Sequence, residues 1–202
     1  VGKSPKTGGF GDANCGGDFG PKMKFAGFDG VLLSGIAPEP VYLLLDEGRA
    51  ELKDASDLWG LEARATEEKL KAIYGQDAAV ASIGPMGEDV RLLACIMNDR
   101  DRAAGRSGLG AVMGSKRLKA IVARPSMEIP LADEATLKAH RAAYLEEMRK
   151  TALYELFSNF GTSGQTAGAV ASGDCPVKNW AGTAEDFPTC LLYTSPSPRD
   201  LS

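Results

Sequence analysis

Six cations, Arg100, Arg102, Arg106, Lys116, Arg117 and Lys119, crowd into residues 99–119 with four glycines, Gly105, Gly108, Gly110 and Gly114. Only Asp99 and Asp101 offset them within that stretch, in a chain whose formal net charge is −4. Arginine forks match phosphate oxygens in shape and charge. Glycine lets a backbone come close to an anion and turn its N–H groups towards it. The apolar run 109–113 is compatible with a helix, which would set further N–H groups at a helix N-terminus, where anions are favoured. The chemistry implied is recognition of a phosphate-bearing cofactor.

Neither common nucleotide motif is intact. A dinucleotide fingerprint needs G-x-G-x-x-G, and after Gly108 and Gly110 the third position is Met113. A P-loop needs G-x-x-x-x-G-K-[ST]; Gly110 to Gly114 is one residue short, and Ser115 precedes Lys116. The residues alone leave two readings open. One is an anion-binding loop, and the other is a glycine-rich turn entering an amphipathic helix with a solvated basic face.

The elements that must position this stretch are legible in the pattern. Residues 8–20, GGFGDANCGGDFG, are too rich in glycine for a regular element and read as a loop. Residues 25–35, 41–45 and 49–52 read as strands, the last two a hairpin around Asp46-Glu47-Gly48. Residues 66–74 read as a helix starting near Ala65 or Thr66 and stopped by Gly75. Residues 78–83 and 90–97 read as strands joined by the turn 84–87, and 120–123 as a further strand. Pro125 and Pro130 bracket a linker. Beyond it, Leu137, Tyr144, Leu145, Met148, Leu153, Leu156 and Phe157 recur at helical spacing from Asp133, a good N-cap, to about Phe160, with Gly161 as the stop. These apolar positions read as core and the single His140 as surface. The fold class expected is α+β, a mixed-sheet domain over 1–126 followed at 127–189 by the start of a helical domain.

Composition narrows the classes. Hydrophobic content of 44% and charged content of 25% are those of a globular protein with a sizeable core. The mild acidity argues against a nucleic-acid binder, and no apolar run approaches the roughly 18 residues of a membrane helix. Ten of the 24 glycines fall within the first 35 residues, so unusual backbone geometry is concentrated at the front. Cys15, Cys95, Cys175 and Cys190 contain no C-x-x-C pair and make neither a disulfide framework nor a metal set by spacing. Cys95 reads as a buried apolar thiol, and the pattern fits a reduced, cytoplasmic compartment. The chain starts without methionine and reads as an internal piece. Residues 190–200, CLLYTSPSPRD, read as the in-frame translation of a transposase sequencing adapter, so 190–202 are set aside from fold reasoning.

RAAGRSGLGAVMGSKRLKAI, preceded by IMND, resembles the cofactor-binding segment of the tungsten-containing aldehyde:ferredoxin oxidoreductase family. KSPKTG, ANCGGDFGPKMKFAGFDGVLLSG, ASIGPMGE and PVKNW resemble it too, in the family's order, from about residue 3 to about 181. The resemblance implies a tungsten or molybdenum ion held by two pyranopterins whose phosphates are bridged by Mg2+. It implies pterin contacts from Asn14, Gly16, Arg102, Ala103, Gly105 and Arg106, with backbone carbonyls of Asn14 and Ala103 as Mg2+ ligands, an oxygen donor set that suits this hard cation. A paired-sheet first domain is implied, as is a Gly-Gly-Arg contact upstream of this sequence. It implies oxidation of an aldehyde to a carboxylate, with electrons passing through a [4Fe–4S] cluster to ferredoxin; homo-oligomerisation of the full-length protein is left open. The family's cluster cysteines and acid/base groups lie downstream, so no catalytic residue is assigned and the piece alone is expected to be inactive. Met86 and Glu88 match IGPxGE without an assigned chemistry, and Lys116, Arg117 and Lys119 read as a solvated edge. On the residues alone Asn14 reads first as an ordinary Asn/Gly turn without a ligand. The competing function classes are a nucleotide- or phosphate-binding module using the loop 105–114 and a non-enzymatic relative of the family.

Overall fold

The structure is a computed structural model that describes residues 1–187; the adapter-like segment and Cys190 lie outside them. The chain forms two units, Val1–Pro130 and a second beginning at Leu131. In the first, β1 (Gly2–Lys3) pairs antiparallel with β2 (Phe10–Gly11), and α1 (Phe19–Phe25) follows. β3 (Val41–Asp46) and β4 (Arg49–Asp54) form a hairpin. Its turn residues Glu47 and Gly48 have φ of 49° and 70°, the left-handed pair whose twist suits a two-residue hairpin loop. Next come α2 (Ala63–Tyr74), β5 (Ala79–Ser82), α3 (Pro85–Glu88), β6 (Ile96–Asn98), β7 (Arg102–Ala104), α4 (Leu109–Ser115) and β8 (Leu118–Ala123).

Six strands make one mixed sheet in the order β4-β3-β8-β5-β6-β7. β3 and β8 run parallel and every other pair antiparallel, which is the α+β class expected. The central strands are buried on both faces, and this is why they read as continuous apolar runs instead of alternating ones. Tyr42, Val80, Ala120 and Val122 pack with Leu70 of α2 on one side. Their sequence neighbours Leu43, Leu45 and Ala123 pack with Met113 of α4, and Phe19 and Met23 of α1, on the other. The Tyr42 and Tyr74 hydroxyls meet at 2.7 Å at the edge of the α2 side. Burial first, and the Tyr74 hydroxyl second, push the Tyr42 phenol upward.

Helix α4 is seated by glycines. A Cβ on Gly114 would stand 1.8 Å from the Gly87 carbonyl oxygen, and one on Gly110 would stand 2.5 Å from the Cys95 carbonyl oxygen. Gly108 (φ 67°) would meet the Leu92 carbonyl oxygen at 2.2 Å. These three glycines therefore serve backbone-to-backbone packing against residues 87–95, and not the ligand approach that their clustering suggested. Beside this contact Lys119, fully buried, donates from Nζ to the Leu61 carbonyl at 2.7 Å and forms an ion pair with Glu88. The Glu88 carboxylate also accepts from the Gly60 N–H at 2.8 Å. The reading of Lys119 as part of a solvated edge is thus corrected. Its ammonium closes the joint between α3, β8 and the turn before α2, and burial pulls its pKa down against the opposing effect of Glu88.

Other boundaries moved for local reasons. Residues 25–35 do not form a strand. The Phe25 and Ala26 carbonyls accept from Met127 and Gly48, and Gly27, at φ 94°, lies against the Gly48 backbone. Thr66 lies inside α2, its hydroxyl donating back to the Glu62 carbonyl, so that helix starts three residues earlier than read. Residues 84–87 are a turn of helix, and of 90–97 only Ile96 onwards is extended, because Val90 (φ 55°) folds back under an Arg91 N–H to Met86 carbonyl bond. Cys95 is only half-buried.

In the second unit α5 (Glu134–Arg149) starts at Asp133, whose carboxylate accepts from the Thr136 N–H at 2.9 Å. The single long helix expected is broken. Thr151 is extended and caps α6 (Ala152–Phe160) by accepting from the Tyr154 N–H. Gly161 ends α6 as expected, and α7 (Thr166–Ser172) follows. His140 is exposed, but neither α5 nor α6 buries a side chain among the described residues. Leu137, Tyr144, Leu153 and Phe157, read as core, stand exposed.

Two substitution pairs test this packing. Gly114→Ala should cost about 3 kcal/mol by overpacking against fixed backbone, whereas Gly20→Ala in α1, with nothing near its Cβ, should be neutral or stabilise by up to about 1 kcal/mol; urea unfolding of both variants checks this. Lys119→Met should cost about 3–5 kcal/mol by stranding the Glu88 carboxylate, and Lys119→Met with Glu88→Gln distinctly less. Because the folded chain gives up the Lys119 proton more readily than the unfolded chain, this lysine's contribution to stability rises with pH towards its ordinary value of 10.5. That slope should vanish in the double variant.

Candidate functional site

The sheet ends at β7, which pairs only with β6, in the register Ile96↔Ala104, Met97↔Ala103 and Asn98↔Arg102. An edge strand leaves half of its backbone N–H and C=O groups outside the ladder. The turn into β7 is forced into the left-handed region at Asp99 (φ 42°) and Arg100 (φ 66°). It is held there by the buried carboxylate of Glu67 on α2, which accepts from the Arg100 N–H at 2.8 Å and pairs with Lys71 at 2.6 Å. Sequence reasoning missed Glu67, since its place on the helix gives no sign of a partner 33 residues away.

The glycine-rich loop is brought to this edge by separate ties. Ser107 Oγ donates to the Asp12 carbonyl at 3.1 Å. Asn98 Nδ2 donates to Cys15 Sγ at 2.9 Å. The Asp99 carboxylate accepts from the Asp18 N–H. A Cβ on Gly16 would lie 3.3 Å from Arg102 Nη1, so the guanidinium rests against that glycine. The result is a cavity of about 480 Å³ lined by Asn14, Ala103, Gly105 and Arg106. Four of the six residues expected at the cofactor therefore line one space, and the other two, Gly16 and Arg102, lie against each other, each within two residues of that lining in the chain.

The electrostatics favour an anion. Arg102 and Arg106 are exposed and, among the described residues, neither forms an ion pair. Gly105 differs from the glycines of α4. A Cβ there would meet only Cys95 Sγ at 3.6 Å, an ordinary contact, so packing within the chain does not demand glycine at the cavity wall. Lys116 turns away, donating to the Gly35 carbonyl at 3.0 Å, and Lys119 is buried. Of the six cations of the sequence cluster, Lys116 and Lys119 thus serve the fold, Arg102 and Arg106 stand at or beside the cavity, and Arg100 and Arg117 lie exposed elsewhere. With Gly108, Gly110 and Gly114 occupied by protein backbone, the loop 105–114 is no phosphate cradle of the nucleotide type. Among the described residues no cluster of His, Cys, Asp and Glu suited to a metal occurs, and no helix is long and apolar enough to cross a membrane.

The family described as "Aldehyde ferredoxin oxidoreductase, N-terminal domain" matches residues 1–125. The chain is 48% identical over 135 residues to the tungsten-containing aldehyde ferredoxin oxidoreductase of Thermococcus kodakarensis, covering 66% of this chain and 22% of that protein. It is 32% identical over 195 residues to the aliphatic sulfonate oxidoreductase, WOR-like subunit, of Pyrococcus furiosus, covering 89% of this chain and 31% of the relative. Among solved structures, the active-site complex BamBC of benzoyl coenzyme A reductase matches with a TM-score of 0.64 at 36% identity, over 68% of this chain and 21% of that one. The chain thus spans about a fifth to a third of the length of these relatives. With a family match that runs from β1 through β8, the chain belongs to the aldehyde ferredoxin oxidoreductase family of oxidoreductases, its residues 1–125 matching that family's N-terminal domain.

Proposed function

We propose that residues 1–126 form part of the binding site for a tungsten or molybdenum bis-pyranopterin, and that 127–189 begin a helical domain of the same oxidoreductase. The observation that carries this reading is the single cavity in which Asn14, Ala103, Gly105 and Arg106 meet, with Arg102 and Gly16 in contact beside it. The residues fit the group. Two unpaired arginines suit the pterin phosphates, Gly105 leaves the wall open without an internal packing reason, and the backbone at Asn14 and on the edge strand at Ala103 supplies the oxygen donors that Mg2+ prefers. In this reading Arg102 and Arg106 neutralise the phosphates, Gly16 and Gly105 let the backbone approach the pterin, and the carbonyls of Asn14 and Ala103 take the Mg2+.

When bound, the metal centre would supply two-electron chemistry, oxidation of an aldehyde to its carboxylate, with the electrons passing by way of a [4Fe–4S] cluster to ferredoxin. This chain's own part in this reading is to bind and orient, and none of its residues is assigned a catalytic role. The alternative of a nucleotide-binding module loses support because three of the four loop glycines are spent on protein packing. It would require ATP or NAD to bind the chain in a titration, and neither is expected to.

A hydrogen bond to a charged group contributes about 1.5–3 kcal/mol, roughly a ten- to hundredfold change in affinity. Arg102→Ala or Arg106→Ala in the full-length protein should therefore lower bound tungsten, counted per protein by elemental mass spectrometry, at least tenfold. Arg141→Ala on the exposed α5 should leave it at the parent level. Full tungsten content in both cavity variants would sink the reading.

A further inference from the structure

We infer that Asn98 is a positioning residue that sets the two halves of this site at their working separation; the inference rests on the cofactor-site reading above. Asn98 is the last residue of β6 and is 3% exposed. Its backbone is registered opposite Arg102, so it stands at a fixed place relative to one half of the site. Its side chain reaches the other half, where Nδ2 donates at 2.9 Å to the sulfur of Cys15, the residue between Asn14 and Gly16. One buried amide thus spans from the arginine strand to the loop that supplies Asn14 and Gly16. Gly17 makes room for it. Gly17 adopts φ 104°, and a Cβ there would come within 2.9 Å of Asn98 Oδ1 and 2.0 Å of Asp99 Oδ2.

A second observation argues that the amide is present for this contact and not for packing. Asn98 Oδ1 is buried and, among the described residues, has no hydrogen-bond partner, and an orphaned buried acceptor costs about 1–3 kcal/mol. A leucine of similar volume would avoid that cost. What leucine could not supply is the donor to Cys15 Sγ. The buried carbonyl is tolerated because the other end of the same amide anchors the loop. Cys15 itself is exposed, so in this account its sulfur is an acceptor that ties the loop, and nothing more is asked of it.

The role predicts a pattern that plain destabilisation does not. Residues that orient a binding group through a hydrogen bond typically change affinity ten- to hundredfold when removed, and two residues acting through one bond are strongly non-additive. In the full-length protein, Asn98→Ala and Cys15→Ala should each lower bound tungsten and pterin by about tenfold or more. The double variant should lose no more than either single one. Cys15→Ser, whose hydroxyl can still accept from Asn98, should stay within about twofold of the parent. Cys15→Ala at the parental cofactor level would overturn the inference, as would losses that multiply in the double variant. Because Cys15 is exposed, its variants report even where Asn98→Ala fails to accumulate. Arg102→Ala run in parallel separates the two claims. If it alone loses cofactor, only the role of Asn98 fails; if it and Arg106→Ala both keep cofactor, the site reading itself fails.

Discussion

The contact on which the rest of the first unit depends is that of Gly114 with the carbonyl of Gly87, where no Cβ fits between two backbones. It draws α4 down onto α3, and Gly110 repeats the approach one turn earlier, against the carbonyls of Ala94 and Cys95. Since α4 follows directly on the segment 102–108, its depth decides where β7 and the residues after it can lie. The buried Lys119–Glu88 pair locks the same joint from the side. It holds α3 to the sheet and to the turn before α2 and leaves neither charge unmet. Removing one partner of such a pair is far more costly than replacing both.

From that joint the site follows by short links. Glu67 fixes the left-handed turn at Arg100, and the turn delivers β7, with Ala103, to the sheet edge. Asn98, Asp99 and Ser107 then draw the 12–18 loop across to it. What results is an open, cation-bearing cavity made almost wholly of backbone and arginine. This composition suits a large, multiply charged ligand that brings its own reactivity, and it lacks the acid, base or nucleophile of a self-sufficient catalyst.

Much of this was legible in the sequence, and the failures have physical causes. The hairpin around Glu47-Gly48 and the strands 79–82 and 118–123 declared themselves because turn chemistry and two-sided burial leave strong local marks. The site residues were gathered by resemblance, since local pattern could not tell Gly105 at a cavity from Gly114 against a carbonyl. That difference lies entirely in what each glycine faces after folding. The charge of Lys119 misled for the same reason, and Glu88 gave no sign of its role. Their partners lie 31 positions apart, and a buried ion pair has no periodicity to betray it. The strand read at residues 25–35 failed because the carbonyls of Phe25 and Ala26 are taken by the N–H groups of Met127 and Gly48 respectively, distant in sequence. The break at Thr151 was written locally, as a capping residue within a helical pattern, and was overrun by the longer apolar spacing.

The central claim, that one cavity at the edge of the sheet holds the phosphates of a metal–pterin cofactor, is tested most directly by a crystal structure of the cofactor-loaded full-length protein. The account predicts phosphate density against the guanidinium groups of Arg102 and Arg106, with a cation coordinated by the carbonyl oxygens of Asn14 and Ala103. Cofactor density elsewhere, with this cavity filled only by solvent, would contradict it.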